Sequence, residues 1–218
     1  MRWWLGRGAD RGATDALLRA ALEALHSGAA RDLKTGRRKQ LYPLDLRGGG
    51  APDHLLKVND YRGAAGLRRA LRGSKARHEL EMAERVAGRG VPTALPLAAG
   101  ERRSGGLLRS CYLLMPILEE VVDLRRLWWE EKQSPRERHA LVAAFGALSR
   151  QVHDAGVFQG DFAPNNFLVR RGPSPQLFMI DFERVQQRGH NDEAARCFML
   201  AKIDRRLAGA SAAERMRF

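Results

Sequence analysis

The stretch from Asp161 to Asp181, DFAPNNFLVRRGPSPQLFMID, constrains this chain more than any other. Gly172, Pro173 and Pro175 sit together in its middle and stop a helix from running through it. The apolar runs on either side, Phe167 to Val169 and Leu177 to Ile180, read as strands, so the natural form is a hairpin with a polar loop in front. Asp161 stands on that loop, Asn166 enters the first strand and Asp181 follows the second. Pairing the strands brings Asn166 and Asp181 together, with Asp161 beside them. The D-x-x-x-x-N spacing alone leaves a second reading open, a surface hairpin flanked by turn-forming Asp and Asn.

The three groups share a chemistry. A carboxylate and an amide oxygen are hard ligands suited to Mg²⁺, which gives roles to Asp181 and Asn166. A second carboxylate, Asp161, is placed to accept the proton of an attacking hydroxyl. Phosphoryl transfer needs these parts: metal ions on the phosphates, an oriented nucleophile and neutralised charge. The order D-x-x-x-x-N, hairpin, two apolar residues and D-F resembles the catalytic and metal-binding loops of the protein-kinase-like superfamily.

The 218 residues are enough for one large domain or two small lobes, and a hydrophobic fraction of 44% supports a packed core. Cys111 and Cys197 lie far apart without metal-ligand spacing, which is the usage of a reducing compartment. No apolar run approaches the roughly 20 residues of a membrane span, and the start, MRWWLGRGAD, is too short in apolar residues for a signal peptide. A cytoplasmic protein is expected.

The net charge of +13 is uneven. Residues 61 to 78 hold Arg62, Arg68, Arg69, Arg72, Lys75 and Arg77 with no acid among them, and Arg31, Lys34, Arg37, Arg38 and Lys39 are opposed only by Asp32. Such blocks draw phosphate-rich partners or anionic lipid, or else form a solvated basic face. Aromatic residues do not interleave with them, so a nucleic-acid partner is not expected.

Taken in order, Leu17, Leu18, Leu22 and Leu25 mark a helix from Thr14 to His26. A stretch of β character, LKTGRRKQLYPLDL, is broken by Gly36 and Pro43. His54 to Val58 reads as a short strand with Lys57 in its apolar run, and a buried lysine needs a charged partner. A helix follows between Ser74, its N-cap, and Gly88. Of its acids Glu79, Glu81 and Glu84, only Glu79 shares the apolar face of Ala76, Leu80, Ala83 and Val86, so Glu79 is the expected partner of Lys57. The alternative pairs a half-exposed Glu79 with a nearby arginine. Strands Leu97 to Ala99 and Leu107 to Met115 come next, joined by the turn GERRSGG. Ser134-Pro135-Arg136-Glu137 is a capping box opening a long helix to about Asp154, which Gly156 ends. Trp128 and Trp129 read as packing residues.

The segments KTGRRKQLYPLDL, LLKVNDYRGAAGLRRALRGSKARHELE, GVPTALPLAAGE, HDAGVFQGDFAPNNFLV and FMIDFERV together resemble the bacterial lipopolysaccharide kinase family, whose members phosphorylate heptose or keto-deoxyoctulosonate of the inner core. The resemblance runs from about Lys34 to Arg206. It implies an α+β, protein-kinase-like fold: a small antiparallel β N-lobe over residues 1–115 and a mainly helical C-lobe over 116–218. It implies ATP and Mg²⁺ as cofactors. Lys57 would hold the α/β-phosphates, Glu79 would fix Lys57, Asp161 would be the base, and Asn166 and Asp181 would bind metal. Gly36 marks the phosphate-covering loop, although a full G-x-G-x-x-G is missing. Met115 to Leu118 stands where a kinase hinge meets adenine. Pro116 has no N–H, so the backbone donor falls to Ile117 or Leu118.

Two residues depart from protein kinases: Gln159 stands two before the catalytic Asp where His is expected, and Glu183 replaces Gly after Asp181-Phe182. Asp181 lies too near the next helix start, Asn191, for a peptide-docking activation segment, and no A-P-E follows. An anionic sugar or glycolipid acceptor is therefore expected, with peripheral contact at the inner membrane surface and the stretch from Tyr61 to His78 near the cleft mouth. A second capping box, Ser211 to Glu214, comes so close to Phe218 that a minimal or truncated C-terminus is expected. An aminoglycoside-type phosphotransferase and a non-catalytic nucleotide-binding pseudokinase are the competing readings.

Overall fold

The computed structural model describes residues 1–28, 30, 39–61, 65–67 and 73–206. Gly36, the arginines Arg31, Arg37, Arg38, Arg62, Arg68, Arg69 and Arg72, Lys34, and the capping box from Ser211 to Glu214 lie outside these residues. The chain forms two compact units: residues 1–84 with 95–118, and residues 85–94 with 119–218.

The first unit is built on a five-stranded sheet in the order β1-β4-β5-β3-β2, from β1 (Arg2–Leu5), β2 (Lys39–Leu44), β3 (His54–Asp60), β4 (Ala98–Ser104) and β5 (Leu107–Pro116). Every pairing in it is antiparallel. Helix α1 (Arg11–His26) is capped by Asp10, whose side chain accepts from the Ala13 N–H, and supplies Leu18 and Ala21 to one face of the sheet. Leu56, Val58, Ala98, Tyr112 and Leu114 meet them there. The other face carries Ala99, Cys111 and Leu113, which pack with Ala76 and Leu80 of α2 (Lys75–Ala87). The two-residue period of a strand sends alternate residues to opposite faces. Strand β3 lies between two neighbours with both faces covered, and that is why Lys57 can occur in an apolar run.

One strand expectation needs correction, and one strand was not expected. The segment GERRSGG is not all turn: β4 continues to Ser104, and only Gly105 and Gly106, with φ of 57° and 76°, reverse the chain. The N-terminal RWWL, unassigned from sequence, is the edge strand β1. Its Trp3 stands opposite Gly100 and lies so flat on it that a Cβ at residue 100 would meet the indole at 2.4 Å.

In the second unit, α4 (Pro135–Asp154) begins at the expected capping box, with the Ser134 N–H donating to Glu137 Oε2 at 2.8 Å. Leu141, Val142, Phe145, Leu148 and Val152 form its buried stripe. Gly156 ends it with φ 66°, and a Cβ there would meet the Arg188 carbonyl at 2.5 Å. A three-stranded sheet runs β6 (Val121–Asp123), β8 (Phe167–Arg170), β9 (Gln176–Met179). A two-stranded one pairs β7 (Val157–Gln159) with β10 (Val185–Gln187). Short helix α3 (Leu124–Trp129) buries Trp128 and leaves Trp129 exposed. Helix α5 (Glu193–Arg206) buries Ala195, Met199 and Ile203. Among the described residues, no helix is long and apolar enough to cross a membrane.

Candidate active site

In the first unit, the Nζ of Lys57 donates to both carboxylate oxygens of Glu79, at 2.8 and 2.7 Å. The side chains are 5% and 3% exposed. The other two acids of α2 are engaged elsewhere: Glu81 pairs with Arg77 at 2.7 Å, and Glu84 accepts from the Arg7 N–H at 2.6 Å. The start of α2 is held from β4. Buried Glu101 accepts from the Ser74 N–H at 3.2 Å and pairs with Arg103 at 2.9 Å. The Ile117 N–H, one of two expected hinge donors, is taken by the Asp53 carbonyl at 2.8 Å, which leaves Leu118 as the donor of that pair.

In the second unit, the loop from Asp161 to Asn166 is pinned by the aromatic residues that bracket its polar groups. Phe162 and Phe167 lie 5.1 Å apart between ring centroids, and both pack on Phe145 of α4, at 5.9 and 5.2 Å. All three rings are buried, so the loop hangs on the apolar core of the unit. The β8–β9 hairpin pairs Phe167 with Met179, and the Ile180 N–H donates to the Asn166 carbonyl at 2.9 Å. Asn166 Nδ2 donates to the Asp161 carbonyl at 2.7 Å. The hairpin thus brings Asp161, Asn166 and Asp181 into one neighbourhood. Asp181 has φ 61°, the left-handed region that Asp enters more readily than most residues.

Gln159 ties the two ends of this site. Its Nε2 donates to the Asp181 carbonyl at 2.9 Å, while its Oε1 accepts from the Asp161 N–H at 3.2 Å. It is 1% exposed, and a buried amide must satisfy both its donor and its acceptor. Gln159 therefore links the Asp161 and Asp181 backbones through its own amide. Sequence reasoning gave Gln159 no role. The available signal was a lone amide at the end of the apolar run Val157-Phe158.

The carboxylate of Asp161 has a cationic neighbour that no local pattern announces. Arg206, in the last turn of α5, reaches Asp161 Oδ1 with its Nη2 at 3.3 Å. Helix α5 is seated against the end of β7, just before that loop, with the Gln159 N–H donating to Met199 Sδ at 3.2 Å.

Oxygen donors dominate the turn after the hairpin. Asp181 and Glu183 bring carboxylate oxygens within 4.8 Å of one another, and the Glu183 N–H approaches Asp181 Oδ1 at 3.4 Å. These carboxylates are hard, anionic oxygen donors, which fit a hard divalent cation rather than a thiophilic one; the Asn166 amide oxygen accepts from Asn165 Nδ2 at 3.0 Å.

The chain is similar to known proteins in sequence and in fold. Residues 54–216 match the sequence profile described as the "Lipopolysaccharide kinase (Kdo/WaaP) family". The lipopolysaccharide core heptose(I) kinase WaaP of Pseudomonas aeruginosa is 29% identical over 181 residues, which are 77% of this chain and 65% of that protein. The chain thus spans just under two thirds of the length of this curated relative. A solved structure of WaaP in complex with acyl carrier protein superimposes with a TM-score of 0.68 at 23% identity, covering 100% of this chain and 86% of that one. A co-crystal structure of WbdD and a kinase inhibitor gives 0.50 at 16% identity, over 82% and 37% of the two chains. At these identities the structural likenesses speak for the fold, which is α+β and protein-kinase-like.

Proposed function

The chain belongs to the lipopolysaccharide kinase (Kdo/WaaP) family, and from that premise we propose that it transfers the γ-phosphoryl group of ATP to a sugar hydroxyl of the lipopolysaccharide inner core or a similar anionic glycolipid. The observation that carries the reading is the buried Lys57–Glu79 pair in a chain matching this family over most of its length. A lysine ammonium sealed in a central strand is costly unless paired, and phosphate binding gives it a use.

In this reading Lys57 holds the α/β-phosphates, and Glu79 keeps its ammonium in one place. The backbone of Leu118 contacts adenine. Asn166 and Asp181 would hold Mg²⁺, with Glu183 beside them. A divalent cation held by these oxygen donors would supply positive charge against the phosphates. Asp161 accepts the proton of the acceptor hydroxyl as the oxygen attacks phosphorus. Gln159 keeps the backbone of Asp161 and that of Asp181 in register, so base and metal ligand are presented together. The acceptor is lipid-linked in this reading, which places the protein in the cytoplasm with peripheral contact at the inner membrane surface.

The test is a phosphate-transfer screen with purified protein, Mg²⁺ and ATP against inner-core sugars and aminoglycosides. The expected result is transfer to a core sugar that Asp161→Asn removes. Transfer to aminoglycosides alone, or nucleotide binding without any transfer, overturns the proposal in favour of the competing classes.

A further inference from the structure

Helix α5 carries a strip that leads to the candidate base. Phe198, Lys202 and Arg206 recur every four residues and so share one face of the helix. At 1.5 Å per residue the strip is roughly 12 Å long. Arg206 ends it on Asp161 Oδ1. One turn back, the Lys202 ammonium lies 5.3 Å from the centre of the Phe198 ring. Phe198 stacks on Phe158 at 5.7 Å with 29° between planes, and the Arg188 guanidinium covers Phe158 at 3.8 Å. Phe158 itself stands three residues before Asp161. Arg188, Phe158, Phe198 and Lys202 are thus joined by successive contacts, and Arg206, one turn beyond Lys202 on the same helix face, meets Asp161, all within one unit.

The chemistry of the strip is specific. Phe198 is 42% exposed, so part of its ring is open to a ligand. Of these three cations, Arg206 meets a carboxylate, that of Asp161. The exposed part of the Phe198 ring suits the C–H groups of a sugar, and the cations suit a carboxylate or phosphate on it. A guanidinium has five N–H donors. Arg206, with its side chain 47% exposed, can hold Asp161 with one and an incoming anion with others. An acid group bound there sets a neighbouring hydroxyl beside the base.

We infer that the Phe198–Lys202–Arg206 face of α5, with Phe158 and Arg188, is the acceptor subsite, and that it selects a sugar bearing a carboxylate or phosphate. This rests on the phosphotransferase reading above.

The test is saturation-transfer NMR on the full chain with two probes, keto-deoxyoctulosonate, which carries a carboxylate, and a neutral heptose. Mg²⁺–ATP affinity is measured in parallel. The wild type is expected to favour the acidic sugar. Arg206→Gln and Lys202→Gln should each weaken it about tenfold, a change of about 1.4 kcal/mol, and leave the heptose unaffected. Arg206→Lys should restore part of the loss, which a merely structural role would not predict. Phe198→Ala should weaken both sugars. Nucleotide affinity should stay within about twofold throughout. If the wild type binds the two sugars alike, binds neither, or keeps its preference in the Gln variants, the strip is a cation–π surface only and the inference falls, while intact Mg²⁺–ATP binding leaves the kinase reading standing. Failure of the wild type to bind Mg²⁺–ATP removes both.

Discussion

Lys57 and Glu79, 22 residues apart in sequence, form an ion pair in which one ammonium serves both carboxylate oxygens, at 2.8 and 2.7 Å, in the buried interior of the first unit. The pair joins a central strand to the helix covering it. Removing one member strands the other charge away from water.

Glu79→Leu and Lys57→Met should therefore each destabilise the protein by about 3–5 kcal/mol, while the double substitution should be milder than the worse single one. Urea unfolding of the three variants checks this. Single substitutions costing under about 1 kcal/mol would mean that the two charges are solvated in solution.

Asp161 and Asp181 should separate chemistry from binding. Asp161→Asn is expected to lower turnover by about 10²–10⁴-fold, the range for a general base, with nucleotide affinity retained. Asp181→Ala is expected to weaken metal–nucleotide binding itself, read with Mn²⁺–ATP by electron paramagnetic resonance. Equal Mn²⁺–ATP affinity in wild type and Asp181→Ala would remove Asp181 from the metal site.

Gln159→Leu leaves the Asp181 carbonyl and the Asp161 N–H without their partner. A stability loss of about 1–3 kcal/mol is expected from the unsatisfied groups, with kcat falling more than KM. Gln159→His, which restores a donor, should recover part of kcat. Equal kcat in the Leu and His variants would show that the link does not orient the loop.

Burial, with the Arg196 charge second, holds the His153 imidazole below its ordinary value of 6.5. The unfolded chain then binds the proton first as pH falls. The stability from the neutral ring is fully present above about pH 6.5 and is lost progressively below it, until the native state also protonates. Urea unfolding at pH 7.5 and 5.5 should show a smaller acid loss for His153→Gln than for wild type. The same loss in both would place the titrating group elsewhere.

Ser134→Ala removes the acceptor of the Glu137 N–H at the head of α4 and should cost about 1 kcal/mol. The capping box lies far along α4 from Phe145, so kcat should not change. A shift in kcat would couple the helix start to the catalytic loop.

Much of this protein was written locally. Gly172, Pro173 and Pro175 forbid a helix and force the hairpin that sets Asn166 beside Asp181. Ser134 and Glu137 start α4 within one turn, and the spacing of Ala76, Leu80, Ala83 and Val86 singles out Glu79. Each of these is a backbone or periodicity constraint acting over a few residues, so no distant partner is needed to read it.

Other features were settled by docked elements. RWWL becomes a strand only because β4 offers an edge, with Gly100 making room for Trp3. The Ile117 N–H is consumed by Asp53, 64 positions earlier in the chain, once the sheet has formed. Arg206 finds Asp161 across 45 residues because Met199 and Ile203 seat α5 in the core. The sequence by itself determined which residue types carry the chemistry and which short segments present them. Tertiary structure decided which buried groups meet, because a hydrogen bond or ion pair needs its partners within about 3–4 Å, and only packing of distant apolar faces brings them that close.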